Sequence, residues 1–261
     1  MTLLLRNARL IDPENGERSG TVVIEGGRIS QIIPDGNTLP NSMRSIDCGG
    51  KCLAPGIVDV GVKVCEPGER HKESFRTAGE AAAAGGVTTM VVRPDTEPAI
   101  DSPETLQFAA RRAADVSKVN VLPMAALTKD RAGKEMAEIG FLMDAGAVAF
   151  TDCDFVNRNN KIFGRCLSYA KMMDAVVIGH AQEPVMSEGA CATSGPLASK
   201  LGLPAVSVIA ERIQLERDMA MVEMTGVTYH VDQLSAAASL PVLERAKLRA
   251  YLSVPEFRYT I

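Results

Sequence analysis

The side chains that could take part in chemistry follow short apolar runs of this chain. Cys65 ends the run at residues 57–64, Cys153 follows 147–150, and His180 follows 175–178. Thiolate and imidazole groups are good zinc ligands. Because the carboxyl ends of barrel strands share one face, these three side chains could form a metal site there. A Cys-His nucleophile pair is a weaker alternative, since nothing in the spacing supplies a third group to orient it.

The elements that must position these side chains fall into two patterns. Residues 1–55 contain short strand-like runs with glycine- and proline-rich turns, which predicts a small N-terminal β module. From residue 56 onward, apolar strands alternate with helices, which predicts βα units around a parallel sheet. The predicted strands are 3–11 and 21–33 in the module, then 57–64, 87–92, 119–125, 147–150, 175–178 and 228–231. The predicted helices are 71–84, 103–116, 133–145, 162–173, 206–224 and 240–248.

The length of the chain limits how far a barrel can close. A (β/α)₈ barrel has eight strands and about 250 residues, whereas this chain has 261 residues including the β module. We therefore predict an α/β fold, an incomplete (β/α)₈ TIM-like barrel over residues 56–261, with a seventh strand beginning at 251–254. The chain looks C-terminally truncated, as by a frameshift or an early stop. Its open strand edges predict either a covering partner or low stability.

Composition excludes some classes of function. The net charge of −4 gives no reason to expect binding to nucleic acid or to an anionic membrane. No apolar run approaches the length of a membrane span and no leader precedes the first strand, so we expect a cytoplasmic protein. The six cysteines have no zinc-finger spacing, which favours reduced thiols. The charge spacing of residues 211–217 predicts an exposed helix face.

Several segments resemble the dihydroorotases, an amidohydrolase family. The segments are 56–68 (GIVDVGVKVCEPG), 71–73 (HKE), 81–89 (AAAAGGVTT), 93–96 (RPDT, where the family has Met-Pro-Asn-Thr), 147–152 (AVAFTD) and 229–235 (YHVDQLS). The resemblance extends over residues 1–247 and fades in the tail. It implies a binuclear zinc centre that polarises a cyclic amide and activates the attacking water.

The same resemblance implies that zinc ligands are missing. The family's His-x-His pair on the first strand falls on Gly61 and Lys63, and neither side chain offers a lone pair to a cation. The sixth-strand ligand falls on Gln233. The final aspartate would lie beyond Ile261.

Three positions remain as vestigial metal ligands. His180 corresponds to the family's histidine after the fifth strand, and the bridging acid falls on Cys153, or on Asp152 if the alignment shifts by one residue. The other histidines have ordinary interpretations: we expect His230 in the core and His71 on the surface.

The substrate-binding positions also differ from the family. The arginine that binds the substrate carboxylate falls on Cys65, and the substrate-binding asparagine falls on Asp95. A carboxylate there would repel an anionic substrate by about 1 kcal/mol or more. We expect Lys63 to replace part of the missing metal charge by pairing with an acidic neighbour, or else to extend to water. The candidate partners are Asp152, Asp154 and Glu66.

Three functions follow from these observations. The first is a catalytically inactive dihydroorotase-like protein of pyrimidine biosynthesis, without a cofactor, that acts as a scaffold subunit for aspartate transcarbamoylase or associates with itself. The second is an active zinc-dependent cyclic-amide hydrolase of the dihydroorotase, allantoinase or hydantoinase type. The third is a decayed gene product without function.

Overall fold

The chain forms two compact units. The computed structural model describes residues 2–40, 44–253 and 259–260, and the units are Met1–Ile57 and Val58–Ile261. The division lies two residues beyond the predicted boundary at residue 55. No helix in the described ranges is both long enough and apolar enough to cross a membrane.

The first unit is a small β-sheet. Its strands are β1 (Thr2–Asp12), β2 (Gly16–Glu25), β3 (Arg28–Pro34), β4 (Arg44–Asp47) and β5 (Cys52–Leu53). The strand order is β3-β2-β1-β4, with β5 also pairing with β1. Strands β1, β2 and β3 are antiparallel, whereas β4 and β5 run parallel to β1. Gly26 and Gly27 form the turn between β2 and β3 with positive φ angles of 58° and 78°, as a two-residue hairpin turn requires.

The second unit alternates strands and helices. Its strands are β6 (Ile57–Val62), β7 (Val87–Val92), β8 (Asn120–Pro123), β9 (Val176–His180), β10 (Ala192–Thr193), β11 (Ala205–Val206), β12 (Thr228–Asp232) and β13 (Tyr259–Thr260). Its helices are α1 (Phe75–Ala84), α2 (Pro103–Val116), α3 (Ile139–Asp144), α4 (Asn160–Met172), α5 (Pro184–Ser187), α6 (Pro196–Leu201), α7 (Ile209–Thr225) and α8 (Leu240–Ser253). Short 3₁₀ turns occur at Lys129–Arg131 and Ala237–Ser239.

The barrel strands form one curved series. One sheet has the order β6-β7-β8 and another has the order β13-β12-β9. Phe150 joins them, because it forms parallel bridges to Ala125 on one side and Val177 on the other. Its N–H donates to Val176 O (2.9 Å) and its carbonyl accepts from Ile178 N–H (2.8 Å). The predicted fourth strand at 147–150 is therefore present as a short bridging segment, and the incomplete barrel is confirmed.

Two layers of apolar side chains hold this unit together. The large cluster between strands and helices includes Phe75, Leu106, Phe150, Leu167 and Tyr229. A small cluster on the other side of the strands consists of Val91, Met124, Ala149 and Ile178. The small cluster underlies the carboxyl ends of the strands, where the predicted site residues lie.

Several predicted boundaries were wrong for local reasons. The first helix begins at Phe75 rather than at residue 71, because Ser74 caps it in a reciprocal capping box with Thr77. The predicted third helix, 133–145, is shorter in the structure, where it is α3. The predicted helix 206–224 begins at Ile209 as α7, because β11 pairs with β10 just before it. Residues 251–253 continue α8 instead of starting a strand, and Val254 lies outside the described residues.

Candidate functional site

Four charged side chains meet where β6 and β7 end, and we call Lys63, Arg93, Asp95 and Asp154 the rim cluster. Arg93 is placed there by the sheet itself, since its backbone N–H donates to Val62 O at 2.9 Å. Asp95 follows two residues later in the same loop. The rim cluster therefore occupies the strand ends where the sequence predicts the first metal ligands and the substrate-binding position.

The rim cluster neutralises Asp95. Lys63 Nζ lies 3.1 Å from Asp95 Oδ2, and Arg93 Nη2 lies 3.3 Å from the same oxygen. Arg93 Nη2 also lies 2.8 Å from Asp154 Oδ1. Burial disfavours the charged guanidinium, but Cys153, Asp154 and Asp95 outweigh burial and raise the pKa of Arg93. Asp95 likewise raises the pKa of Lys63. The negative charge predicted to face a substrate is thus already paired within the protein.

The predicted partners of Lys63 were wrong, because each of them is held by another group. Glu66 accepts from Phe75 N–H (3.0 Å) and from Arg112 Nε (2.9 Å). Asp154 pairs with Arg93. The oxygens of Asp152 accept hydrogen bonds from Leu127 and Thr128. Asp95 is the carboxylate left for the lysine, whose side chain remains 54% exposed.

Part of the rim cluster is incompletely hydrogen-bonded. Asp95 and Arg93 have side chains that are 4% and 9% exposed, respectively. Asp95 Oδ1 and Arg93 Nε have no hydrogen-bond partner, and Arg93 Nη2 is within ion-pair distance of both carboxylates but outside hydrogen-bond geometry. Unsatisfied buried polar atoms are costly, so this arrangement is held by charge attraction more than by geometry.

Asp152, a predicted metal ligand, anchors a loop. Its Oδ1 accepts from Leu127 N–H (3.1 Å) and Thr128 N–H (2.9 Å), and its Oδ2 accepts from the Thr128 hydroxyl (2.7 Å). Thr128 Oγ1 in turn accepts from Gly133 N–H at 2.9 Å. Burial raises the pKa of Asp152 to about 6, although the hydrogen bonds from Thr128 and Leu127 oppose the shift. Both oxygens are committed to the loop at residues 127–133.

Cys153, the alternative bridging position, is a buried thiol in a left-handed conformation. Its φ angle is 57°, which costs about 1–3 kcal/mol for a residue other than glycine. Burial, followed by the Asp95 carboxylate, raises the pKa of Cys153 to about 12, and Arg93 only partly opposes this. A thiol that stays protonated near neutral pH is a poor nucleophile.

His180 stands at the end of β9, and its Nδ1 atom is buried without a hydrogen-bond partner. A cavity of about 20 Å³ lies beside it, and Asp152 and Cys153 also line this cavity. The volume suffices for about one water molecule. The fold therefore brings the three predicted vestigial positions around one small space. The other histidines stand apart: His71 is exposed as predicted, and His230 is half-buried rather than in the core.

The residues present do not fit the binuclear zinc centre that the resemblance implies. Across the described ranges, no group of three or more His, Cys, Asp and Glu side chains has an arrangement that could hold a metal ion. Gly61 has a φ angle of 92°, so even a histidine introduced there would be strained. Lys63 is paired with Asp95, and both oxygens of Asp152 already accept hydrogen bonds from the loop at 127–133.

Two groups of buried polar residues on α7 were not predicted from the sequence. Glu211 accepts from the backbone and hydroxyl of Ser235, from Ala236 N–H and from the Ser239 hydroxyl, at 2.6–3.1 Å. Burial opposes its ionisation, but these hydrogen bonds outweigh burial and lower the pKa of Glu211. Glu211 and Gln214 are buried on one side of the helix, whereas Arg212 and Glu216 pair on the exposed face that the charge spacing of 211–217 predicts.

A second missed group is Asp218, which is buried beneath β9 and β12. It accepts from the Tyr229 hydroxyl (3.0 Å) and Gln214 Nε2 (3.1 Å), and it pairs with Arg217. Burial raises the pKa of Asp218 to about 6. Gly179 makes this packing possible, because a Cβ atom there would lie 1.6 Å from the Tyr229 hydroxyl. The only sequence signal was the spacing of Gln214 and Asp218, which puts them on one helix face.

Comparison with known proteins identifies the family. A family model described as dihydro-orotase-like matches residues 50–239, and the chain belongs to this dihydroorotase-like amidohydrolase family. The chain is 34% identical over 250 residues to a dihydroorotase from Syntrophus aciditrophicus (strain SB), covering 95% of this chain and 59% of that protein. It is 36% identical over 250 residues to a dihydroorotase-like protein from Pseudomonas putida, covering 95% of this chain and 58% of that protein. The chain thus spans a little under three fifths of these relatives.

Solved structures support the fold. The L-hydantoinase from Arthrobacter aurescens superposes with a TM-score of 0.80 at 19% identity, covering 95% of this chain and 56% of that chain. A D-hydantoinase from Thermus sp. superposes with a TM-score of 0.72 at 24% identity, covering 95% and 55%. At these identities the likeness defines the architecture, an amidohydrolase barrel of which this chain supplies part.

Proposed function

We propose that this chain is a catalytically inactive dihydroorotase-like protein that acts in the cytoplasm as a scaffold subunit for aspartate transcarbamoylase in pyrimidine biosynthesis. The observation that carries the proposal is the Lys63–Asp95 ion pair at 3.1 Å, which puts an ammonium group where the family resemblance implies a metal ligand. An ammonium group has no lone pair for a cation. Without a bound metal the family's route to an activated water is lost.

The other predicted ligand positions support the same proposal. Both oxygens of Asp152 accept hydrogen bonds from the loop at 127–133, and Cys153 is buried beside Arg93. In each of these arrangements, a predicted metal-ligand position takes part in contacts that hold the fold together. A protein that keeps the family fold but not the site chemistry is expected to act through its surface.

A second candidate is an active cyclic-amide hydrolase. Relatives named dihydroorotase, at 34–35% identity, favour it. Relatives named dihydroorotase-like protein occur at 36% identity, so names do not separate the candidates. A metal bound by rearrangement of Cys65, Cys153 and His180 would be needed.

The test combines metal content, turnover and assembly. The purified chain is grown with added zinc, dialysed and measured by inductively coupled plasma mass spectrometry beside an active dihydroorotase. Dihydroorotate hydrolysis and co-elution with aspartate transcarbamoylase from the same organism are then measured. We expect far less than about one zinc per chain, no hydrolysis, and a stable complex with the transcarbamoylase.

Two results would contradict the proposal. Stoichiometric zinc with hydrolysis would establish the second candidate, and the variants Cys153→Ser and His180→Ala would then locate the ligands. Absence of both hydrolysis and complex formation, with a cooperative melting transition, would remove the scaffold role while leaving a folded protein.

A further inference from the structure

A methionine-lined groove runs between α4 and α7 on the outside of the barrel unit. Its volume is about 430 Å³, and its apolar lining comes from Gly164, Tyr169, Met172, Met221 and Met224, which we call the methionine groove. Met172 is 81% exposed and Met224 is 70% exposed. Large exposed apolar side chains that share one groove are typical of an interaction surface.

Gly164 forms the floor of this groove. A Cβ atom at this position would lie 3.1 Å from the Met221 methyl group and 3.8 Å from that of Met224. The missing side chain lets the methionines of α7 lie against the backbone of α4. Methionine is flexible and polarisable, so a surface built from it adapts to the apolar side chains of a partner.

The groove follows the length of α4. Its lining on that helix runs from Asn160 to Met172. Since α4 has 13 residues, the surface is about 20 Å long, which matches a partner helix of about four turns.

One edge of the groove is basic. Lys161 and Arg165 line it and lie four residues apart, so they share a face of α4 with Met172. Within the described part of the chain, neither cation has a carboxylate in ion-pair range. The acidic Glu216 and Glu223 of α7 instead line a separate hollow against α8, where Glu216 pairs with Arg245. The two charged side chains that line the methionine groove, Lys161 and Arg165, are therefore both cationic.

We propose that the methionine groove is the docking site for an amphipathic helix of a partner protein, with apolar residues on one face and carboxylates along one flank. The apolar face would fill the groove between α4 and α7. The carboxylates would pair with Lys161 and Arg165, which gives the docked helix one orientation. This inference extends the proposed scaffold function, since it names the surface that the scaffold would use.

The direct test uses a designed peptide as the probe. The peptide has about 14 residues, leucine at every third or fourth position and glutamate along one flank, and its twin has lysine in place of each glutamate. Fluorescence anisotropy measures both against the wild type. We expect the glutamate peptide to bind at least about tenfold more tightly than its twin, with an affinity that falls as salt increases.

Variants distinguish peptide binding in the methionine groove from nonspecific binding elsewhere on the surface. The double variant Met172→Glu/Met224→Glu should lose at least about tenfold in affinity for the glutamate peptide. The matched control Met186→Glu changes an exposed methionine on α5 outside the groove and should bind like the wild type. All the changed side chains are exposed, and thermal melting checks that each variant folds. Equal binding of both peptides, binding of neither, or unchanged binding by the double variant would overturn the inference.

The same proteins distinguish the groove from the scaffold proposal. If wild type and double variant bind aspartate transcarbamoylase equally, the groove is not the docking surface, while the scaffold function stands. If the wild type binds the glutamate peptide through the groove but does not bind the transcarbamoylase, the groove stands and the scaffold proposal fails.

Discussion

Glu211 and Asp152 lie buried like Asp95, yet the surroundings of these carboxylates differ. Glu211 and Asp152, the loop anchors, accept hydrogen bonds from backbone N–H groups and hydroxyls of the loops at 235–239 and 127–128. Asp95, in the rim cluster, is held by Lys63 and Arg93 and keeps one oxygen unpartnered. Hydrogen bonds from neutral donors in a fixed loop are directional, so they fix the position of the carboxylate closely. A long, flexible cation mainly neutralises the charge of the carboxylate and fixes its position less.

This difference indicates which of the buried carboxylates contribute most to the stability of the fold. Asp152 holds the loop at 127–133 against the end of the strand segment 147–150, and Glu211 holds the loop at 235–239 against the first turn of α7. Both loops connect successive elements of the barrel unit. The rim cluster pairs charged side chains with one another at the strand ends. We therefore expect the loop anchors to matter for stability far more than the rim cluster does.

The largest expected effect is at a loop anchor. Glu211→Ala would leave the Ser235 and Ala236 N–H groups and the Ser239 hydroxyl without their acceptor. We expect the free energy of unfolding to fall by about 4 kcal/mol, measured by urea denaturation at neutral pH. Glu211→Gln keeps one acceptor oxygen and should lose less. A loss below about 1 kcal/mol for the alanine variant would show that the loop does not depend on this anchor.

An intermediate effect on stability is expected from Asp218. This buried carboxylate pairs with Arg217 and belongs to neither the loop anchors nor the rim cluster. Its pKa is raised from 3.8 to about 6, so the folded chain holds this proton more tightly than the unfolded chain. The resulting stabilisation is full below about pH 4 and is lost as the pH rises through about 6. A rise in pKa of this size corresponds to about 3 kcal/mol of stability.

The measurement is a difference between two proteins. Wild type and Asp218→Asn are unfolded with urea at several values between about pH 4 and pH 7. We expect the wild type to lose stability relative to the variant as the pH rises, because only the wild type must ionise this buried group. Asp152 titrates in both proteins and cancels in the difference. A difference that does not change with pH would mean that Asp218 has an ordinary pKa.

The smallest effect is expected in the rim cluster. Lys63 is half-exposed, and Arg93 still pairs with Asp95 when the lysine is removed. Lys63→Met should therefore cost only about 0.5 kcal/mol in urea denaturation, and the loss should shrink as salt is added. Lys63→Arg, which keeps the charge, serves as the control. A loss as large as that of Glu211→Ala would place the rim cluster among the architectural groups.

Three positions predicted to correspond to metal ligands retain an unusual backbone. Gly61, Cys153 and Gln233 have positive φ angles of 92°, 57° and 53°. Such conformations are costly for residues other than glycine and concentrate at functional sites. Cys153 and Gln233 therefore carry backbone strain, whereas glycine tolerates the positive φ angle at Gly61.

The sequence contains a signal for one ion pair of the rim cluster, that between Arg93 and Asp95. Arg93 and Asp95 stand where the family has methionine and asparagine, and residues two apart in extended chain share a face. Two opposite charges introduced together at that spacing indicate an ion pair. The partner of Lys63 was not readable, because it depended on which carboxylates other groups had already engaged.

The sequence alone determined the elements whose signals are local. Helix α2 runs from Pro103 to Val116 as predicted, since Ser102 caps it and proline occupies its first position. Alternating apolar strands and helices likewise determined the βα units, and the resemblance to the dihydroorotases implied that they form a barrel. Only the tertiary structure decided the partners of the buried charges. Glu211 meets Ser235 across 24 residues and Asp152 meets Thr128 across another 24, and such pairings depend on loops that pack together only once the barrel has formed.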